Sequence, residues 1–244
     1  MECRCNPWSI RDDLLQIQLA DAGTLPLTAL AWHWRCSDAD LRMRCFAAKR
    51  LNPLPTPEPS EPVIGALARI QQWARNQHED VVLMLDNPAQ ALGRDQMTAL
   101  QGVRLIGIRS ESDRSCWDAA LSSGLPVYGV YQDICSQLTQ PNAASFLTAI
   151  SYGAFTSGDG VDMEHFEESP KGCRWRLSAA PNNAVSVVVK GGLEAATIEG
   201  PEGFWQDAGQ EGYVRLEMHQ EHHRRFSQPR LVANRSATTG EWGR

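Results

Sequence analysis

The sequence predicts an α/β fold followed by a smaller β-rich module, on three observations. Strand-sized apolar runs (Leu27 to Trp32, Val81 to Leu85, Val103 to Ile108, Val127 to Tyr131) alternate with stretches of helical periodicity up to about residue 160. An amphipathic helix, a buried strand and a polar Asp-x-Cys follow one another tightly between Asp113 and Cys135. Beyond Cys173 the pattern changes to short alternating runs broken by Pro181-Asn182-Asn183, Gly191-Gly192 and Gly200-Pro201-Glu202-Gly203, which is an all-β pattern. The expected domains are 1–160, 161–234 and a loose tail at 235–244.

Taken in order, Ser9 is placed to cap a helix over Ile10 to Ala22, with Leu14, Leu15, Ile17 and Leu19 as its apolar stripe and Gly23 as its stop. Leu27 to Trp32 reads as a buried strand ending at His33, and Cys36 to Arg50 as a helix. The prolines of Leu51 to Pro62 cannot continue that helix, so this segment is an extended connection. Pro62 opens a helix through Asn76 whose inner face carries Ile64, Leu67, Ala68, Ile70 and Trp73. Val81 to Leu85 is then a buried strand ending in Asp86-Asn87-Pro88. Gln96 to Leu100 forms a short helix, Val103 to Ile108 a strand, and Ala143 to Tyr152 a helix leading into a Gly-rich turn. In the second module the strands are Arg174 to Ser178, Ala184 to Val189, Ala195 to Glu199, Tyr213 to Met218 and Arg230 to Val232.

Composition narrows the function. With 244 residues, 42% of them hydrophobic, the chain can bury a sizeable core and lies outside the regime of disorder. No apolar run reaches the ~18 residues that suggest a membrane span, and MECRCNPWS lacks the regions of a signal peptide, so the expected compartment is the cytoplasm. A net charge of -6 gives no footprint for nucleic acid, and the His219 to Arg225 run reads as a solvated loop. Seven cysteines without a secretion signal suggest reduced thiols.

The words Trp117-Asp118, Leu121-Ser122, Gly124, Val127 and Gly129-Val130, then Asp133-Ile134-Cys135 and Gly153-Ala154-Phe155-Thr156-Ser157-Gly158, resemble the second half of the polymerase and histidinol phosphatase (PHP) superfamily. Tyr213-Val214-Arg215-Leu216-Glu217 with Gln228-Pro229 is similar to the tail following the barrel in that family. The resemblance implies a PHP-like distorted (β/α) barrel with its site at the carboxyl ends of the strands. It also implies a centre of several metal ions that polarises a phosphoester and supplies a bound hydroxide.

Matched position by position, the family's ligands fall on Cys3, Cys5, His33, Asn87, Asp133 and Cys135. Asn87 and Cys135 replace histidines, and no glutamate stands at the bridging position. Hard multinuclear chemistry needs bridging carboxylates, and this set offers one. The resemblance therefore implies a degenerate phosphoesterase homologue without the multinuclear centre or a cofactor, acting as a binding or interaction protein toward a protein or a small phosphorylated ligand. The alternative is an active metal-dependent hydrolase with thiolate-substituted ligands, holding zinc or another divalent metal. In the barrel, His33, Asn87, Asp133 and Cys135 would converge in one cleft, with Asp133 accepting a hydrogen bond from His33 or Asn87. The reading in which none of them is a ligand makes Cys135 a small packed residue and His33 a hydrogen-bonded core histidine.

Overall fold

Period-two alternation, rather than helical periodicity, governs the first fifty residues. The computed structural model describes residues 2–9, 14–19, 23–56, 58, 60–77, 80–138, 140, 142–159, 163–169, 172–177, 185–207, 212–220 and 222–231. The chain divides into two compact units, Met1–Gly158 and Asp159–Arg244.

The first unit begins with β1 (Glu2–Cys5), β2 (Leu14–Leu19), β3 (Thr24–Arg35) and β4 (Asp40–Ala47). Leu14 to Leu19, expected within a helix, is a strand because Leu15 and Ile17 face the core while Gln16 and Gln18 face out. Cys36 to Arg50, also expected to be helical, instead contains β4. There Leu41, Met43 and Cys45 are fully buried and Arg42 and Arg44 alternate with them. Helix α1 (Val63–Arg75) leads to β5 (Val81–Leu85), α2 (Pro88–Ala91), a 3₁₀ turn at Arg94–Leu100 and β6 (Leu105–Gly107). Then come α3 (Glu111–Ser122), β7 (Tyr128–Val130), β8 (Asp133–Gln137), α4 (Ala143–Ser151) and β9 (Thr156–Gly158).

Within this unit the strands run in the order β9-β8-β1-β2-β3-β4-β5-β6-β7. Pairing is antiparallel from β9 to β5 and parallel only for β5-β6 and β6-β7. These findings overturn the expected α/β barrel. Of the described residues 47% are in strands and 23% in helices, and the large sheet is mixed and open. Hairpins, rather than crossover helices, join β2 to β3 and β3 to β4, and a parallel barrel cannot be built from hairpins.

What survives of the α/β expectation is the β5-β6-β7 segment, where Val81 to Leu85 and the core of Val127 to Tyr131 lie in one parallel sheet. Strand β5 is buried on both faces. Val82 and Met84 join Phe146, Leu147 and Ile150 of α4 in the main core cluster, while α1 also packs against β5. Trp117 of α3 is fully buried and donates from Nε1 to the Val127 carbonyl at 2.9 Å. Its ring lies where a Cβ on Gly129 would come within 2.8 Å, so only glycine fits at that point of β7.

The second unit contains β10 (Met163–Ser169), β11 (Gly172–Leu177), β12 (Val185–Lys190), β13 (Leu193–Glu199), β14 (Glu202–Gln206), β15 (Tyr213–Gln220), β16 (His223–Ser227) and β17 (Arg230–Leu231). Its strands form an antiparallel sheet in the order β13-β12-β15-β16, with β17 also on β15, and a three-stranded sheet β10-β11-β14. Alternate residues of both sheets share one core: Trp175 and Leu177 pack with Val188, Val214, Leu216 and Met218. Trp175 carries its polar edge into this core by donating to Ser186 Oγ at 2.9 Å. The opposite face of β15 buries the Arg215–Glu217 ion pair. The expected tail at 235–244 lies outside the described residues. Among the described residues no helix is long and apolar enough to cross a membrane.

Candidate functional site

The six positions read as ligands fall into three separate places. Cys3 and Cys5 lie on the inner face of β1, both buried, opposite Ser136 and Ile134 of β8. Cys3 donates to the Ser136 carbonyl at 3.3 Å. Burial pushes the Cys3 thiol up to about 11 and the Cys5 thiol well above its ordinary value, with the neighbouring acidic groups adding to the effect at Cys5. Both are thiols, not thiolates, at neutral pH in the metal-free protein.

Asp133 and Cys135 alternate with Ile134 and Ser136 and so occupy the outer face of β8. They belong to a strand, not to the loop expected after one. Cys135 Sγ lies 3.4 Å from Glu2 Oε1, which also receives Arg4 Nε at 3.0 Å.

His33 and Asn87 lie elsewhere. His33 sits on the exposed side of β3 with Nε2 3.0 Å from Asp40 Oδ2. Asn87 accepts from the Arg42 N–H at 3.2 Å and donates to the Asp40 carbonyl at 3.2 Å, locking the end of β5 to the start of β4. Asn87 is thus a backbone clamp.

Carrying the strand pairing from β8 through β1 and β2 brings Asp133 level with Pro26 on β3, seven residues from His33. That is roughly 23 Å along the strand at ~3.3 Å per residue, besides three strand spacings across the sheet. Among the described residues no three His, Cys, Asp or Glu side chains gather where they could hold a metal ion. The expected convergence in one cleft is absent, and the donors do not fit the metal centre that the resemblance implies.

A different cluster occupies the carboxyl ends of β5 and β6. Asp86, the first residue after β5, is buried and takes both oxygens to Arg44 Nε, at 2.8 and 3.0 Å. Arg44 reaches this point because β4 pairs with β5 antiparallel, with Arg44 opposite Met84. It also donates to the Pro7 carbonyl at 3.1 Å, fixing the turn that carries Trp8.

The Trp8 ring holds the Arg44 guanidinium at 4.9 Å and that of Arg109 at 4.0 Å from its centroid, both within cation–π range. Arg109 stands two residues beyond the end of β6, after Ile108. Its N–H and that of Ala89 are accepted by the buried Asp113 carboxylate, each at 3.2 Å, and Ser110 Oγ donates to the same carboxylate at 2.8 Å. Asp113 therefore sets the turn that aims Arg109.

Gly107 leaves the space for this arrangement. A Cβ there would come within 2.7 Å of the Asp86 carbonyl and 2.9 Å of the Trp8 ring. Charge in the cluster is unbalanced: Arg42, Arg44 and Arg109 accompany two carboxylates, those of Asp86 and the buried Asp113. Burial raises Asp86 to about 6, with Arg44 and then Arg109 and Arg42 acting in the opposite direction. Arg42 and Arg109 are exposed, and among the described residues their side chains have no carboxylate partner.

Sequence reading reached Asp86-Asn87-Pro88 but missed Trp8, Arg44 and Arg109. The available signals were Arg42-x-Arg44 on one face of a strand and an Arg just past an apolar run. Comparison with protein-family models, with curated proteins and with solved structures finds no match for this chain.

Proposed function

We propose that the protein is a binding protein for a small phosphorylated ligand, whose phosphate is received by Arg42 and Arg109 beside the Trp8–Arg44–Asp86 cluster. One observation carries this reading: two exposed guanidiniums without carboxylate partners adjoin a buried ion pair at the carboxyl ends of parallel strands. Such strand ends are where ligands bind in open α/β sheets, and guanidinium forks match phosphate oxygens. Arg44 is held by Asp86 and serves as a support, so the ligand-facing charge belongs to Arg42 and Arg109. Among the described residues the cluster's raised carboxyl, Asp86, is engaged by Arg44, which favours binding over hydrolysis. The second reading, a metal-dependent hydrolase with cysteine ligands, loses ground because its donors are dispersed. All seven cysteines are free thiols, which suits a reducing compartment, and we place the protein in the cytoplasm.

The test is a calorimetric and NMR titration with inorganic phosphate and glycerol phosphate at low salt. Arg109→Ala and Arg42→Ala should each weaken binding by about tenfold, the loss of roughly 1.4 kcal/mol. Absence of binding at about 10 mM ligand, an affinity weaker than roughly 3 kcal/mol, would refute the reading. Phosphomonoesters and phosphodiesters supplied with manganese, zinc or iron should not turn over. Turnover abolished by Asp133→Ala would instead establish the hydrolase.

A further inference from the structure

At the opposite, amino-terminal end of β5 the first unit carries an open cleft of about 390 Å³, between that strand and the last turns of α4. Asp80 stands immediately before β5 and Arg104 immediately before β6, and both line the cleft with Ser151 and Tyr152 from the end of α4. Val81 and the buried Leu147 supply apolar wall. The volume falls within the range of small-molecule sites, about 300 to 1,000 Å³.

The side chains here differ in availability. Thr148 is spent on the Ala144 carbonyl within its own helix. Asp80 and Arg104 are exposed, and among the described residues neither side chain has an ion-pair or hydrogen-bond partner, each other included. Two opposite charges therefore face one cleft without neutralising one another.

An adjoining cleft of about 490 Å³ shares Asp80, Val81 and Gly102, and its remaining polar side chains are hydrogen-bonded. Gln71 donates to the Ala99 carbonyl, Gln77 to the Trp73 carbonyl and Arg75 to Gln72. That space can take bulk, and it adds one cation, Arg75, which is bonded to the neutral Gln72 amide and not to a carboxylate.

We propose that the Asp80–Arg104 cleft binds a small zwitterion of the free α-amino-acid type, with its carboxylate on Arg104, its ammonium group on Asp80 and its side chain along Val81, Leu147 and the Tyr152 ring. A simple anion meets Asp80 and the carbonyl end of α4, where the helix dipole is negative. A simple amine meets Arg104. Only a ligand bearing both charges satisfies both groups, and the guanidinium fork suits a carboxylate in particular. Tyr152 is 77% exposed, so a ligand side chain laid against it would cover apolar surface that is otherwise wet. Two solvent-accessible ionic contacts make the affinity weak, in the millimolar range at roughly 4 kcal/mol.

The site is independent of the Arg42–Arg109 cluster, so either assignment can fail alone. The experiment is an amide-NMR titration of the full chain with L-leucine, L-phenylalanine and L-glutamine, against isopentylamine, 4-methylpentanoate and N-acetyl-leucine as single-charge controls. At least one free amino acid should shift the amides around Arg104 and Tyr152 and bind about tenfold more tightly than its single-charge controls. Asp80→Asn and Arg104→Gln, both at exposed positions, should each weaken that binding by about tenfold while leaving the melting temperature unchanged. Lack of binding by all three amino acids at about 10 mM overturns the proposal. So does equal binding by an amine or an acid, or binding unaltered by both substitutions.

Discussion

Replacing Asp86 by asparagine tests whether burial or the Arg44 pair dominates at the carboxyl end of β5. The folded carboxyl sits at about 6 against an ordinary value of 3.8, so the native state binds this proton more tightly than the unfolded chain does. A raised acid of this kind contributes stability that is fully present below the unfolded value and is lost as pH rises through the folded one. Integrating that difference between pH 4 and pH 7 gives a loss of about 2 kcal/mol from Asp86 alone.

Asparagine cannot titrate, so Asp86→Asn should lack this loss. The stability difference between variant and parent should move in the variant's favour by about 2 kcal/mol over the same interval. Urea unfolding of both proteins at pH 4, 5, 6 and 7, followed by far-UV circular dichroism, gives that difference directly, and the slope with denaturant checks that the unfolded states match. A difference that moves against the variant as pH rises would mean that the Arg44 pair outweighs burial and that the carboxyl lies below its ordinary range. That result would refute the account of the cluster given above.

Two further substitutions probe the packing that positions the cluster. Gly107→Ala places a Cβ 2.7 Å from the Asp86 carbonyl and 2.9 Å from the Trp8 ring, so chemical denaturation should show a loss of about 1–3 kcal/mol and NMR should show the Trp8 indole displaced. Trp117→Phe removes the bond to the Val127 carbonyl while keeping a ring over Gly129, and should cost about 1–3 kcal/mol, with Trp117→Ala costing about 3–5 kcal/mol in the same assay.

How much of this was legible depended on whether a segment's neighbours were needed to interpret it. Val81 to Leu85 is apolar on both faces, and a run of that length fits a buried parallel strand and little else. Tyr213 to Gln220 was similarly plain, lying among short runs separated by turn residues. By contrast, Leu14, Leu15, Ile17 and Leu19 satisfy a helical stripe and a strand alternation alike. What decides for a strand is that Gln16 and Gln18 face out while β1 and β3 pair on either side, and those neighbours are not visible locally. Cys36 to Arg50 failed for the same reason, since the strand alternation of Leu41, Met43 and Cys45 with Arg42 and Arg44 is fixed by pairing with β3 and β5 on either side.

The site was lost with the fold. A resemblance of short words placed six residues at carboxyl strand ends, but Cys3, His33 and Cys135 lie inside β1, β3 and β8, and Asp133 opens β8 instead of following a strand. The cluster that does form joins Trp8, Arg44, Asp86 and Arg109, whose chain separations only the β4-β5-β6 pairing removes.

The position of β1 bears on how the chain can reach this structure. Its pairs with β8 join residues about 130 positions apart, such as Cys3 with Ser136, and β1 stands between β2 and β8 in the sheet. While the polypeptide is being made, the edge of β1 that β8 will occupy has no native partner until residues 133–137 have left the ribosome. During that interval Cys3 and Cys5 lack their cover from Ile134 and Ser136, and a strand edge stands open. Closing so long a loop is an entropic cost that local contacts cannot offset, so assembly of the first unit waits on a late, non-local step. The exposed edge is the place where intermolecular pairing would compete with folding.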